Sequence, residues 1–377
     1  MIRLTSFLKI ALVVLAVCCS CSRYSGDSSL FDVSIRESLV ESGKGNVSVS
    51  VRCSGEWNLF LVDDGEEVDW ALLDATSGKG SKDKIMLSYD ANDSEVSRRL
   101  TVVLDDGKRL AYSNDLVQLA SGQKAWLELP EINDPNLGYY SHSFEMNGST
   151  YRNYSFAWSQ KDRVAIWVAY PLCRLYTNGS VGRTNAWAQD PLLGDLSSAP
   201  FGGYGGSYAR GHQLPSADRQ CSYEANAQTF YGTNMTPQLN AHNEGIWAGL
   251  ENKVRAIANS SDTTYVVTGV IVSASGKKER DSYGNSLTVP DAYFKVLLKY
   301  SRASTLGLGA WNAVAFYLDH RSYSENVGRQ HTMSVDELEE MTGLNFFAYL
   351  PFKVGAEQAA KIEAANPKSD ANAAVWW

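Results

Sequence analysis

The chain has 377 residues, a formal net charge of −8 at pH 7 and 44% hydrophobic residues. This length exceeds that of a typical single domain, and the apolar content is sufficient for more than one hydrophobic core. An acidic chain lacks the overall positive field that favours nucleic-acid binding, so any site for a polyanion must be local.

The N-terminus has the pattern of a targeting segment. A short apolar run at residues 10–17 is too short to span a bilayer and follows two basic residues. The cysteine cluster after it resembles a bacterial lipoprotein signal, which implies a signal peptide over 1–21 and lipidation of Cys21. An ordinary secretory signal is the alternative. We expect residues 22–30 to be a tether, and the protein to be secreted and lipid-anchored to the cell envelope, at the outer membrane or cell surface.

Residues 31–122 are predicted to form an all-β module. Apolar and polar residues alternate in NVSVSVRC, as in a half-buried strand that ends at Cys53. Trp57, Trp70 and the phrase DATSGKG resemble the BACON domain, a β-sandwich whose family is associated with carbohydrate or mucin. The resemblance implies a spacer or adhesion module with a glycan ligand. We expect both tryptophans to be core residues, with sugar stacking as the alternative.

A connector rich in turn-forming residues, 123–136, separates this module from a second one over 137–366, and 367–377 form a tail. Strand-like stretches in the second module include VAIWVAYPL and YVVTGVIV. The run FGGYGG lacks the Lys-Ser/Thr ending of a phosphate-binding P-loop, so we predict a mobile surface loop there. An oxidising compartment permits a disulfide between Cys173 and Cys221.

A helix is predicted within LNAHNEGIWAGLENKVRAIAN. Its apolar stripe contains Leu239, Ile246, Leu250 and Ile257. A neighbouring line at i, i+4 spacing contains Asn243, Trp247, Glu251 and Arg255. That line is either a solvated face with a Glu–Arg pair or part of a site. On a regular helix His242 points about 100° away from Asn243, so we predict that it lies on the surface.

Three motifs occur in order along the chain: RGH at 210–212, TNMTPQ at 233–238 and NEGIWAGLENKVR at 243–255. Together they resemble the DNA/RNA non-specific endonucleases, a family that includes the Serratia-type nuclease and endonuclease G. The resemblance covers about residues 137–355. It implies an α+β fold with a ββα-metal (His-Me finger) nuclease domain and a central antiparallel sheet, preceded here by the all-β sandwich.

The resemblance implies a one-metal phosphodiesterase site. His212 would be the general base that deprotonates the attacking water, a role that suits an imidazole at neutral pH. Asn243 would bind one Mg²⁺ directly, with Mn²⁺ as a substitute, because Mg²⁺ takes oxygen ligands and keeps most of its waters. Glu251 would hold the metal-bound waters.

The remaining roles concern the substrate. Asn234 would orient the site, while Arg210 and Arg255 would grip the phosphate and its transition state. The substrates would be DNA and RNA, cut to leave 5′-phosphate ends. Contacts to the phosphate backbone read little sequence, so we expect little sequence preference. The oligomeric state stays open, with a homodimer as one alternative.

The sequence departs from the family in two places. Ala209 stands where the family usually has Asp before Arg-Gly-His, and Asp218 is either a substitute for that carboxylate or a helix or turn cap. Arg183 lies about two positions away from the register of a further substrate-binding arginine. A cell-surface binding protein with lost or weak turnover, recognising glycans or nucleic acid, is therefore the alternative function.

Overall fold

The computed structural model describes residues 31–94, 96–132, 134–196, 201–273, 276–302 and 309–377; the predicted leader, including Cys21, lies outside them. The chain divides into two compact units between Ala125 and Trp126. Within the described ranges, no helix combines the length and the apolar character that a membrane crossing requires.

All regular elements in the described part of the first unit are strands. They are β1 (Phe31–Ile35), β2 (Leu39–Val40), β3 (Gly45–Cys53), β4 (Glu56–Asp63), β5 (Glu66–Glu67), β6 (Ala71–Leu73), β7 (Ser77–Lys79), β8 (Lys82–Tyr89), β9 (Arg98–Asp105), β10 (Leu110–Tyr112) and β11 (Leu116–Gln118). One sheet has the order β1-β3-β8-β6. The other has the order β2-β11-β9-β4-β5, with β7 paired to β4 and β10 to β9.

The two sheets of the first unit share one apolar core. Val49 and Ile85 of the first sheet and Leu59 and Val102 of the second belong to the same buried cluster. Alternation of buried and exposed residues along β3 puts one face of that strand into this core. The described part of this unit therefore consists of two β-sheets around one core, which agrees with the predicted all-β module.

The residues singled out in the first unit are mainly structural. Trp57 is 2% exposed, and its indole Nε1 donates to the carbonyl of Gly80 at 2.7 Å. Cys53 is buried in the same core. Trp70 is half-buried, and the guanidinium of Arg98 lies 4.2 Å from its ring centroid. The core expectation is thus confirmed for Trp57, whereas Trp70 lies at the edge of the core under a cation.

The second unit is built on a seven-stranded antiparallel sheet. Its strands, in sheet order, are β12 (Leu137–Met146), β13 (Ser149–Ser159), β14 (Val164–Leu172), β17 (Thr263–Ile271), β20 (Ala292–Arg302), β21 (Gly309–Asp319) and β22 (Thr332–Met333). Two short two-stranded sheets stand apart from the large sheet. They are β15 (Tyr208–His212) with β16 (Met235–Leu239), and β18 (Lys278–Arg280) with β19 (Ser286–Thr288).

The helices of the second unit are short, apart from one. They are α1 (Arg174–Thr177), α2 (Tyr223–Gln228), α3 (Asn240–His242), α4 (Ala248–Ser260), α5 (Val335–Thr342), α6 (Pro351–Val354), α7 (Ala356–Glu363) and α8 (Asp370–Ala373), with a π-helical turn at Asn243–Trp247. Short 3₁₀ turns occur at Pro191–Leu196, Ser216–Asp218, Gly232–Asn234 and Arg329–His331. Helix α5 begins at a capping box between Ser334 and Glu337 and ends at Gly343, whose φ of 69° suits a left-handed C-terminal cap.

The large sheet separates two apolar clusters. Leu250 and Val254 of α4 pack in one cluster with Val266 and Leu297 of the sheet. The other cluster lies under α5 and α7. Because side chains alternate along a strand, one sheet supplies both clusters. The strand pair β15–β16 and α4 belong to the first side, where the predicted site residues lie.

The second unit includes parts of the predicted connector and tail. Leu127 and Leu129 are 6% and 5% exposed, and Glu128 between them pairs with Arg152, with 2.7 Å between Oε1 and Nε. In the tail, Trp376 is 5% exposed and packs in the cluster that holds α4. The folded unit therefore extends beyond the boundaries 137 and 366 that the sequence suggested.

A π-helical turn precedes α4 and changes which residues face inward. The backbone N–H of Ala248 donates to the carbonyl of Asn243, five residues back, and Gly245 has non-helical φ and ψ of −93° and −112°. On a regular helix His242 and Trp247 would lie about 140° apart. Here their rings stack, with centroids 5.8 Å apart. The i, i+4 line of Asn243 with Trp247 is therefore interrupted.

The same turn explains why the surface prediction for His242 is wrong. The side chain is 0% exposed and lies among Trp247, Tyr293 and His320. Its Nδ1 is 3.0 Å from the amide Nε2 of Gln238. The π turn rotates the preceding residues around the helix axis, and His242 consequently points into the core.

Two further expectations are corrected. Cys173 and Cys221 are free thiols in the structure, each half-buried as a small apolar group against the cluster that holds α4. The glycine-rich loop is anchored rather than loose: Gly202 donates its N–H to a carboxylate oxygen of Asp281 at 3.3 Å, and Ser282 donates to the carbonyl of Gly203.

Candidate active site

The strand β15 presents His212 at its end. Gly211 before it packs so closely on Gln238 of β16 that an added Cβ would lie 2.6 Å from the Gln238 Cβ. Only glycine permits this approach. His212 is 8% exposed, and the indole Nε1 of Trp247 donates to its carbonyl at 3.4 Å. The strand end is therefore held in place from the helix side.

The imidazole of His212 is poised in its neutral form. It forms a hydrogen bond with the backbone of Arg210, while its Nε2 is buried without a partner among the described residues. A backbone carbonyl only accepts, so the ring nitrogen in that bond carries the proton and Nε2 keeps a free lone pair. Burial, with the charges of Arg183 and Arg210, lowers the pKa of His212 to about 3.

An aromatic wall holds two guanidinium groups beside His212. Arg210 stacks on Trp187, with 3.4 Å between its Cζ and the ring centroid, and donates to the carbonyl of Phe201 at 3.0 Å. Arg183 lies 4.8 Å from the ring centroid of Phe230 and 5.8 Å from that of Trp187. Cations over aromatic faces are attracted electrostatically and keep their hydrogen-bonding edges free. The two guanidinium groups are therefore positioned to bind an anion.

Arg183 therefore reaches the site in spite of its shifted sequence position. Its Nε donates to Asn185 at 2.9 Å, which turns the side chain back along the loop. Its charge acts on both His212 and Glu251. The offset of two residues is absorbed by the loop before Trp187, where Asn185 has a φ of 51°.

Glu251 shares a buried electrostatic network with Lys295. Burial raises the pKa of Glu251 to about 7, while Lys295 and then Arg255 and Arg183 counteract the rise and Asp218 adds to it. Lys295 is 0% exposed; its Nζ donates to Thr268 at 2.6 Å and to the carbonyl of Gln213 at 3.2 Å. A carboxylate with this neighbour keeps its charge more readily than burial alone would allow.

Asp218 is not a helix or turn cap. It is the last residue of a 3₁₀ turn, 1% exposed, and its carboxylate forms an ion pair with the guanidinium of Arg255. Arg255 also donates to Asn252 at 2.8 Å. Asp218 thus orients Arg255 from the side of α4 that faces the sheet. Nothing in the structure shows it replacing a carboxylate at position 209.

Asn234 acts on the backbone that follows His212. Its side-chain oxygen accepts from the N–H of Leu214 at 2.8 Å, and its amide nitrogen donates to the carbonyls of Leu214 and Thr229. It is 0% exposed. All of its visible hydrogen bonds are therefore structural, and they fix the direction in which the chain leaves β15.

Asn243 lies at the start of the π turn and is half-buried. Among the described residues none forms a hydrogen bond or ion pair with its side chain, and the same holds for the carboxylate of Glu251. These unpaired oxygens suit Mg²⁺, which takes oxygen ligands and retains waters. In the described ranges, no three His, Cys, Asp or Glu side chains cluster as ligands. The donors present fit a hydrated metal rather than an all-protein cage.

Sequence reasoning missed Trp187, Phe230 and Lys295. The sequence does not show which aromatic residue stacks on an arginine, because Trp187 and Phe230 are far from Arg210 along the chain. Lys295, in contrast, could have been found from the sequence. It is a lone cation in the apolar strand AYFKVLL, and a charge in a strand buried on both faces requires a partner.

Two buried neutral histidines are expected to make the protein less stable as the pH falls. Burial lowers the pKa of His212 and of His242 to about 3, from 6.5 in the unfolded chain. Below pH 6.5 the unfolded chain binds protons that the folded chain does not bind until about pH 3. The free energy of unfolding therefore falls across that window, by about 2 kcal/mol per histidine at pH 5.

Urea unfolding of the parent and of His212→Gln at pH 7.5 and pH 5 measures this effect. Other buried groups titrate too, so the difference between the two proteins isolates His212. The variant should lose about 2 kcal/mol less than the parent between these pH values. Equal losses would show that His212 takes up its proton near its ordinary pKa in the folded protein.

Comparisons with known proteins show similarity to nucleases. The sequence profile of the family described as DNA/RNA non-specific endonuclease matches residues 136–353. The mitochondrial nuclease EXOG of Xenopus laevis is 29% identical over 252 residues, which cover 62% of this chain and 67% of that protein. A nuclease of Serratia marcescens is 27% identical over 239 residues, 62% of this chain and 83% of that protein.

One solved structure is also similar in part. It is the crystal structure of the EndoG/EndoGI complex, with a TM-score of 0.45 and 20% sequence identity. The similarity covers 56% of this chain and 87% of that chain.

Proposed function

The chain belongs to the DNA/RNA non-specific endonuclease family, and on this basis we propose that it hydrolyses phosphodiester bonds of both DNA and RNA with the help of a divalent cation. It is an endonuclease. One observation supports a phosphodiesterase mechanism most directly: His212 keeps an unpaired Nε2 beside the guanidinium groups of Arg183 and Arg210. That combination offers a base next to an anion site, as attack of water on a phosphodiester requires.

The arginines bind the phosphate, and the histidine acts as the base. Arg183 and Arg210 bind the non-bridging oxygens of the phosphate and stabilise the charge that develops on them. His212 Nε2 takes a proton from water, the water oxygen bonds to phosphorus, and the bond to the 3′ oxygen breaks. The 3′ oxygen leaves with the bonding electron pair and takes up a proton from solvent water to become a hydroxyl. The phosphate then remains on the 5′ end. No serine or cysteine nucleophile is needed.

Substrate binding is expected to make His212 a better base. The two arginine charges contribute to its low pKa. A bound phosphodiester carries a negative charge that counteracts both guanidinium groups, which raises the pKa of His212 toward its ordinary range. Base catalysis is most efficient with a pKa near the working pH, so the site becomes active as the substrate enters.

Asn243 and Glu251 would hold the cation, Asn243 through its amide oxygen and Glu251 through waters. A bound Mg²⁺ would supply Lewis-acid stabilisation of the phosphate and of the leaving oxygen, and Mn²⁺ would substitute. Lys295 supports this role because its charge favours the carboxylate form of Glu251. Arg255, oriented by Asp218, is a further cation on the same helix.

A binding protein without turnover is less well supported. Such a protein has no need for an unpaired buried imidazole nitrogen beside two guanidinium groups, as at His212, because leaving that nitrogen unpaired carries a desolvation cost. We also propose that the chain is secreted and lipid-anchored through Cys21, and that the first unit binds a glycan. Loss of [³H]palmitate labelling in Cys21→Ser would support the anchor, and retained labelling would exclude Cys21.

Metal dependence tests the proposed function. The protein is expected to cleave both plasmid DNA and RNA in Mg²⁺ at low salt, and EDTA is expected to stop cleavage. In Asn243→Ala the Mg²⁺ concentration for half-maximal activity should rise about tenfold or more, because the metal loses its direct ligand. Asn259→Ala, on the exposed end of α4, is the control and should leave that concentration unchanged. Full activity of the parent in EDTA would overturn the metal assignment.

A further inference from the structure

A basic and aromatic patch adjoins Arg210 and has no role in the mechanism so far. We define the Tyr283 patch as Phe201, Lys277, Arg280 and Tyr283. Tyr283 is 67% exposed, in the turn of the β18–β19 hairpin, and its ring centroid lies 5.2 Å from that of Phe201. The carbonyl of Phe201 accepts the hydrogen bond from Arg210. One residue thus links the exposed ring to the phosphate-binding arginine.

The patch is held rigidly although its aromatic ring is exposed. Asp281 is 5% exposed and accepts from the N–H groups of Tyr283 at 3.0 Å and Asn285 at 2.8 Å. It also accepts from Gly202, and Tyr204 pairs with Asp281 as an isolated bridge. The hairpin and the glycine-rich loop therefore form one support. A large exposed apolar ring on a fixed support costs little entropy when it binds a flat ligand.

The charges of the patch suit a polyanion. Lys277 and Arg280 are exposed, and Lys277 donates to the hydroxyl of Tyr208, two residues before Arg210. In the described part of the chain no carboxylate pairs with Arg280 or Lys277 within salt-bridge distance. Glu279 between them is half-buried, and the negative charge of Asp281 is taken up by N–H donors. The outward charge is therefore positive on an otherwise acidic protein.

We propose that the Tyr283 patch is a nucleotide subsite next to the scissile phosphate, in which Tyr283 stacks on an unpaired base while Lys277 and Arg280 contact flanking phosphates. This inference rests on the proposed function and adds a ligand class to it: single-stranded or locally opened nucleic acid. Stacking requires an accessible base face, and a duplex hides that face between its neighbours. The subsite therefore favours single strands over duplex.

Binding to a catalytically silent protein separates this inference from the proposed activity. In a His212→Ala background, the affinity for a fluorescent single-stranded oligonucleotide is measured by anisotropy. Adding Tyr283→Ala should weaken binding by about 5- to 100-fold, while Tyr283→Phe should bind like the background. Tyr223→Ala is the matched control, because Tyr223 is also 67% exposed but lies on α2. Unchanged affinity in Tyr283→Ala would overturn the subsite, even if the parent enzyme cleaves normally.

Two further measurements identify the ligand. An oligonucleotide with abasic sites should bind the background protein as weakly as the intact one binds Tyr283→Ala, and on it Tyr283→Ala should have no further effect. Arg280→Gln should reduce the slope of log affinity against log salt by about 0.7, as expected for the loss of one phosphate contact. If the parent fails to cleave in Mg²⁺ but Tyr283→Ala still weakens binding, the proposed function fails and the subsite stands. Equal weakening on intact and abasic strands would refute base stacking.

Discussion

Replacement of His212 by alanine is expected to lower kcat for nucleic-acid cleavage by about 10²–10⁴-fold, the contribution of a positioned general base. The substitution removes the unpaired Nε2, and among the described residues neither His242 nor His320 takes its place, because both rings lie in the aromatic cluster with Tyr293. KM should change less than kcat, because both arginines remain on their aromatic wall.

Steady-state cleavage of a defined oligonucleotide in Mg²⁺ measures this effect. His331→Ala is the matched control, since His331 is 9% exposed against 8% for His212 but lies in the 3₁₀ turn Arg329–His331. The control should keep kcat within a factor of a few. Retention of full activity by His212→Ala would remove the base assignment, and near-UV circular dichroism of both variants shows whether the fold is intact.

The second large effect is expected for Asp218→Asn, which leaves Arg255 without its counter-charge. Asp218 is 1% exposed, and the Arg255 side chain is 19% exposed. Breaking a buried ion pair from one side costs about 3–5 kcal/mol. The partial exposure of Arg255 lets water offset some of this, so we expect about 2–3 kcal/mol of lost unfolding free energy. Catalysis should also fall, because the guanidinium loses its fixed orientation.

Urea unfolding and kcat are measured on the same preparations. Glu357→Gln is the control, because Glu357 forms an exposed pair with Lys361 on α7 and exposed pairs contribute at most about 1 kcal/mol. If Asp218→Asn unfolds at the same urea concentration as the parent, the ion pair is not a stabilising element. If kcat is also unchanged, Arg255 takes no part in the reaction.

Much of the fold could be predicted from local patterns. The alternation in NVSVSVRC predicts β3, and VAIWVAYPL corresponds to β14. The apolar stripe predicts α4, in which Leu250 and Ile257 are buried. Leu239, the first residue of that stripe, instead ends strand β16. These elements follow from the periodic spacing of apolar residues, which can be read directly from a sequence. The RGH motif likewise identifies His212, whose Nε2 is buried without a partner among the described residues.

What the sequence hid depends on contacts between distant segments. Helical spacing puts His242 on the surface, but one π turn at Gly245 turns it inward. The pairing of Trp187 with Arg210 joins a loop to a strand, and no periodicity encodes such a contact. Cys173 and Cys221 suggested a bridge, yet packing satisfies each as an apolar group. Tertiary packing overrides local pattern in all three cases.

The packing of Leu127, Glu128 and Leu129 has a consequence for how this protein evolves. The sequence pattern of the nuclease begins near residue 136, but the folded unit begins at Trp126. Gene fusions that exchanged the module at residue 136 would leave Arg152 facing a missing carboxylate and two apolar sites open. The folded unit is therefore longer than the recognisable sequence pattern, and the connector residues Leu127 and Leu129 are part of its core.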